Sequence, residues 1–240
     1  MTTLQFVSTS ADGLSESATP LVSAGALIAG LGTHPTITIP VVAGREPDAD
    51  AVWHRLAEPA EFFGIEMPGV TQLRRALADF LAELQRRHGG VSAAVTVVVV
   101  DTRFVVSGVL IEPVRPEPVR LALCAPAPAA PHWQTMAART TSRAADLLAE
   151  RELATTGHAD AVPSDGDLLE VSLLGALLCE TPSGRIGLGA QRLGWLAAAG
   201  LLDADTVTDE PVDLAAVTRA WWVSPTFETH PVAAIGERLL

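Results

Sequence analysis

The sequence predicts an α+β fold of two subdomains with a cleft between them. Three observations carry this. Val70 to His88 has apolar residues at helical spacing, whereas Val91–Val100 and Phe104–Val114 are long β-branched runs, so the first half holds both helix and sheet. Later strands and helices alternate without a regular βαβ period, which argues against a doubly wound sheet. Between the halves, Ala125–Pro131 places three prolines in seven residues. This is a stiff linker, which sets the expected subdomains at 1–124 and 132–240.

In order along the chain, the first thirty residues alternate weakly and carry Gly13, Pro20, Gly25 and Gly30, reading as short strands or ordered loop. Thr36–Ala43 is a β-branched strand bounded by Pro35 and Gly44, with Pro40 inside it. Asp48 or Asp50 caps a helix over Ala51–Phe63. In the helix Val70–His88, the residues Leu73, Leu77, Phe80, Leu81 and Leu84 form one stripe. Gly89-Gly90 stops it, with Arg86, Arg87 and His88 in the last turn complementing the dipole. The two β runs, joined at Asp101-Thr102-Arg103, read as a hairpin or as neighbouring strands of one sheet, and Arg120–Cys124 adds a short strand. Past the linker, Ser142 caps a helix that ends near Thr156 and Gly157. Ala159–Pro163 and Leu168–Ser172 read as a strand pair about Ser164-Asp165-Gly166, and Ala176–Thr181 with Arg185–Leu188 as a hairpin about Pro182-Ser183-Gly184. A helix Ala190–Ala199 ends at Gly200, Asp213 caps a short helix, and Ala220–Ser224 is a buried strand.

Composition excludes several chemistries. Lys and Arg together number 16, and all sixteen are arginines; lysine and tyrosine do not occur. A lysine Schiff base, a P-loop lysine and a lysine general base are therefore unavailable. A plain explanation for missing lysines is the coding bias of an alanine- and arginine-rich chain. The net charge of -12 repels phosphate backbones and argues against nucleic-acid binding. Cys124 and Cys179 are too few for a disulfide framework and read as buried thiols. The mildly apolar stretch Leu21–Gly32 lacks a basic flank and is too short to span a bilayer. A soluble cytoplasmic protein is expected, without metal, membrane or nucleic-acid partners.

The second half has a distinctive order: helix, Asp165-Gly166 turn, strand ending at Glu170, hairpin, Gly-x-x-Arg at Gly189-Ala190-Gln191-Arg192, helix, and a closing stretch from Ser224 to Val232. This resembles the fold-type IV (class IV) pyridoxal-phosphate enzymes, that is, branched-chain and D-amino acid aminotransferases and aminodeoxychorismate lyases. In the resemblance, Ala138-Arg139-Thr140-Thr141-Ser142-Arg143 falls on the lysine segment, with Arg139 at the lysine position. Glu170 falls on the glutamate that holds the pyridine nitrogen, and Arg55-Leu56 with Ala60 and Gly64-Ile65 on the helix supplying a phosphate-binding arginine. The resemblance implies two subdomains of the D-amino acid aminotransferase-like type and a homodimer. The departures are chemical. The lysine does covalent and acid–base work that a permanently protonated guanidinium cannot do. Val171-Ser172-Leu173-Leu174-Gly175-Ala176 replaces a small polar run ending in Asn, and the strand arginine near Pro40 is missing.

Two readings follow. In the first, the chain is a degenerate, lysine-lacking, non-catalytic relative, a pseudoenzyme or binding partner that holds a small anionic ligand in the old cofactor cleft without covalent cofactor; noncovalent pyridoxal phosphate is compatible but not favoured. In the second, it is a cofactor-independent lyase-like enzyme acting on a chorismate-like or amino-acid-derived carboxylate. There Arg55, Arg139 and Arg143 are clamps, and Glu170 in its apolar strand is the acid or base, with Arg139 assisting. Ser172, Gln191 and Thr226 are candidate phosphate-lining residues. Arg139 pairs either with Glu170, filling an empty site, or with a ligand anion. Arg55 either holds an anion or bridges to Glu58 on its own helix. His34, His54, His88, His132, His158 and His230 show no metal-ligand spacing, and Gly30-Leu31-Gly32 lacks the third glycine of a dinucleotide loop. Trp221-Trp222 sits on a strand, so one ring faces the core.

Overall fold

The structure is a computed structural model that describes residues 3–9, 13–15, 33–42, 44–100, 102–111 and 117–240. The expectations for Leu21–Gly32, and for Gly30-Leu31-Gly32 within it, lie outside the described residues, as does Asp101 of the expected hairpin turn. Chain contacts divide the protein into two compact units, Met1–Ile111 with Ala130–Arg143, and Glu112–Ala129 with Ala144–Leu240.

The first unit contains strands β1 (Thr3–Thr9), β2 (Gly13–Ser15), β3 (Thr36–Val42), β4 (Ser92–Val100) and β5 (Arg103–Ile111). They form one antiparallel sheet in the order β2-β1-β5-β4-β3. Pro40, which has no N–H to donate, is tolerated because β3 is an edge strand. Helix α1 (Ala49–Phe62) starts at Asp48, whose carboxylate accepts from the Ala51 N–H at 3.0 Å. Helix α2 (Val70–His88) buries Leu73, Leu77, Phe80 and Leu84 of the stripe read from the sequence and adds Ala76, while Leu81 is only half-buried; it packs on β5 and β1. The approach is close: a Cβ at Gly108 would lie 2.8 Å from Phe80 Cζ. A short helix α3 (His132–Ala137) returns to this unit and is absent from the sequence reading.

The second unit holds a large mixed sheet. In chain order its strands are β6 (Val119–Cys124), β7 (Asp160–Asp165), β8 (Leu168–Leu169), β9 (Ala176–Thr181), β10 (Gly184–Leu188), β11 (Thr206–Thr208), β12 (Val212–Asp213), β13 (Arg219–Val223), β14 (Thr229–Ile235) and β15 (Arg238–Leu239). The order across the sheet is β11-β10-β9-β13-β14-β6-β7-β8-β12, with β15 on β14. Helix α4 (Ala144–Thr155) leads into β7, and helix α5 (Ala190–Ala199) follows β10. Leu121, Val162, Leu169, Leu177, Cys179, Leu188, Trp222 and Ile235 build its core.

The units divide elsewhere than at the expected linker. Strand β6 lies before Ala125–Pro131 yet pairs in parallel with β14 and β7, so it belongs to the second sheet. Residues 130–143, which include the last linker proline, join the first unit, tied by the Pro35–Thr140 bridge and by the Thr36 N–H on Arg139 O at 3.0 Å. Local composition marks stiffness; long-range pairing decides membership. Trp222 is the tryptophan that turns to the core, and Trp221 instead lies under the Arg185 guanidinium, 4.7 Å from the ring centre. Among the described residues no helix is long and apolar enough to cross a membrane, and no three His, Cys, Asp or Glu side chains gather as metal ligands.

Candidate functional site

In the first unit, a proline sets the scene. Pro59 lies inside α1, and it has no N–H to give the carbonyl four residues earlier, Arg55 O. A helix carbonyl without its partner needs another donor. Arg139 supplies it, with Nη2 donating to Arg55 O at 2.6 Å. The Nη1 group of the same guanidinium pairs with Glu58. The Arg139 side chain is 9% exposed, and its Nε is buried without a hydrogen-bond partner. The expected Arg139–Glu170 pairing is thus replaced by a pairing with Glu58, because the carbonyl that Pro59 leaves open draws the guanidinium to α1.

Charge around Glu58 is lopsided. Burial, and then the Arg139 charge, push the Arg55 guanidinium down to about 10. The hydrogen bond from Arg139 holds the Glu58 carboxyl below the usual range, with Arg55 and His132 adding to the effect. Arg139 is the guanidinium paired with this carboxylate, and Arg55 acts on it only through its charge. The His132 ring meets Phe62 edge-on at 5.2 Å beside them. Arg143 belongs to this unit but is exposed, with its N–H on Thr141 O.

In the second unit the other candidates disperse. Glu170 is half-buried; its N–H donates to Pro163 O, and its charge, after burial and Asp160, helps to push the Cys124 thiol up. Ser172 is buried with its hydroxyl unpartnered. Gln191 is exposed at the start of α5. Thr226 shares a hydroxyl hydrogen bond with Ser224 at 3.1 Å. At the α5 N-terminus the Ala190 N–H is already taken, donating to Asp209 Oδ1 at 2.8 Å. A carboxylate of the protein thus sits where a helix end attracts anions.

The residue that sequence reasoning missed is Asp160. It is fully buried and accepts from Ala161 N (2.7 Å), Leu174 N (3.1 Å), Gly175 N (2.8 Å) and Trp222 Nε1 (2.8 Å). A buried carboxylate is stable only with such donors. The available signal was a lone acid within the apolar run Ala159–Pro163. It looked like one alternating strand position, and its partners lie up to 62 residues away.

No family model matches the sequence, and no curated protein does. Solved structures do match over nearly the whole chain. A hypothetical aminotransferase from Mycobacterium tuberculosis in its apo form is 19% identical with a TM-score of 0.71, over 98% of this chain and 92% of that one. A fold-type IV transaminase from Curtobacterium pusillum is 17% identical at a TM-score of 0.67, over 99% and 92%. An aminotransferase from Brucella abortus bound to PLP is 13% identical at 0.64, over 99% and 92%. This chain has the fold-type IV aminotransferase fold. At these identities the likeness is one of fold, and chemistry rests on the side chains. The fold-type IV cofactor would bond to a lysine side chain. There is no lysine to bond it, and the first N–H of α5 already donates to Asp209. These residues do not fit a covalently held pyridoxal phosphate.

Proposed function

We propose that this chain is a non-catalytic protein on the fold-type IV scaffold, holding a small oxyanion at the Arg55–Arg139 pair. One observation carries the reading. Arg139, which the resemblance sets at the lysine position, repairs a helix carbonyl left open by Pro59, and a guanidinium has no free base to offer a substrate. The Arg55 guanidinium, lowered by burial and by the Arg139 charge, makes no ion pair of its own among the described residues, and a bound carboxylate or phosphate would supply the balancing charge. Arg143, Ser172, Gln191 and Thr226 are ligand-binding candidates from the resemblance alone. A cytoplasmic homodimer completes the proposal, and sedimentation equilibrium measures its dimeric part.

The test has two arms. Pyridoxal phosphate followed by borohydride leaves no adduct on any side chain by peptide mass mapping; a trapped side chain overturns the non-catalytic half. The melting temperature rises with a panel of phosphate and carboxylate metabolites, and the rise is lost in Arg139→Ala and Arg55→Ala. No rise with any anion overturns the ligand half.

A further inference from the structure

We propose that Asp160 and Arg192 form a charge pair that acts through the peptide joining Leu174 to Gly175, and that together they are positioning residues for the 170–175 segment and the 224–228 loop. That peptide is held at both ends. Its N–H, on Gly175, donates to Asp160 Oδ2 at 2.8 Å, and its carbonyl, on Leu174, accepts from Arg192 Nη2 at 3.0 Å. A carboxylate on the N–H and a guanidinium on the C=O polarise one amide in the same sense, so each strengthens the hydrogen bond made by the other.

The two charges then reach further. Arg192 Nη1 takes Pro225 O at 3.0 Å and Ser224 O at 3.5 Å, while Asp160 takes the indole N–H of Trp222, which precedes that loop. The loop also closes on itself through Ser224 Oγ, which accepts from the N–H groups of Thr226 (3.3 Å) and Glu228 (3.1 Å). Nothing bulkier than glycine fits at 175, where a Cβ would lie 2.3 Å from Trp222 Nε1 and 2.4 Å from Val223 O.

What is held this way is locally unfavourable. Phe227 is buried with φ at 63°, a left-handed backbone rarely taken by a bulky residue, and Ser172 Oγ is buried without a partner. Such features persist only where the surroundings over-determine the conformation. The Asp160–peptide–Arg192 relay is that surrounding, and it fixes the segment that carries Glu170 and Ser172. The inference concerns the second unit and stands apart from the anion proposed at Arg55.

Two-dimensional ¹H–¹⁵N NMR of the full chain tests it, with the Trp222 indole signal assigned by its loss in Trp222→Phe. In Arg192→Gln the amides of Leu174 and Gly175 lose hydrogen-exchange protection at least tenfold relative to the amides of β9 and β13, and the signal of the Trp222 indole N–H, which donates to Asp160, moves as well. Arg192→Lys restores much of both. If protection falls evenly across the sheet, or the indole signal stays in place, the relay is refuted and Arg192 is a support only. If Arg192→Gln does not fold, Asp160→Asn read against Arg192→Lys replaces it. Unfolding free energies of the two single variants and the double variant are then non-additive if the pair is coupled; additivity overturns the proposal.

Discussion

Adding one methyl group at position 175 probes the hub of the second unit. Gly175→Ala places a Cβ 2.3 Å from Trp222 Nε1 and 2.4 Å from Val223 O. Neither neighbour is the loose end of a side chain: the indole is held by Asp160, and the carbonyl belongs to β13. Overpacking of this kind costs about 1–3 kcal/mol. Displacing the indole also breaks its hydrogen bond to the buried carboxylate, roughly another 1.5–3 kcal/mol. A total of about 3 kcal/mol or more is expected, which lowers the melting temperature by roughly 6 °C or more at this chain length. Urea unfolding followed by tryptophan fluorescence and far-ultraviolet circular dichroism measures it. Gly187→Ala is the control, because its Cβ would meet Leu193 Cδ1 at 2.6 Å, a methyl at the end of a flexible side chain that can turn away. It is expected to lose much less. Should Gly175→Ala unfold within about 0.5 kcal/mol of the wild type, the hub is not rigid and the packing argument fails.

Two further outcomes follow from single residues. Burial pushes the Cys179 thiol up to about 12 from an ordinary value of 9.0. The folded state holds that proton more tightly than the unfolded one, so its stability is intact below pH 9 and is lost as pH rises from there toward 12. By pH 10 the accumulated loss, relative to pH well below 9, is roughly 1.4 kcal/mol, read as the difference between wild type and Cys179→Ala. Arg55, lowered to about 10, acts in the opposite sense above that pH, so the comparison belongs below it. A wild-type curve parallel to that of Cys179→Ala refutes the assignment. Thr102 is exposed with φ at 59° beside the β4–β5 pairing, a costly conformation for a β-branched residue. Thr102→Gly is expected to stabilise the first unit by about 1 kcal/mol, and destabilisation on urea unfolding contradicts this.

Residues whose structure depends on near neighbours were legible in advance. The α2 stripe, the Asp48 cap, the β9–β10 hairpin and the bounds of α5 all follow from periodicity and turn chemistry within a few positions. The prolines at 126–131 were read correctly as a stretch without regular structure and incorrectly as a unit boundary, because strand pairing is a long-range choice. The candidate site fared similarly. Arg55 and Arg139 were singled out from the sequence, but Arg139 reaches the backbone carbonyl of Arg55 rather than its side chain, and its carboxylate partner is Glu58. Pro59 was visible all along; its effect needed a partner 84 residues from the carbonyl it leaves open.

The sequence by itself determined which reactions are unavailable, since no packing can supply a lysine that the 240 residues lack. It also determined the local elements, whose free energies are set by neighbours within a turn or two. The tertiary structure alone decided what each charge does. A guanidinium or carboxylate taken out of water must find partners wherever the fold brings donors and acceptors together. For that reason Arg139 became the cap of an interrupted helix, and Asp160, unremarked in its strand, became the buried charge around which the second unit is organised.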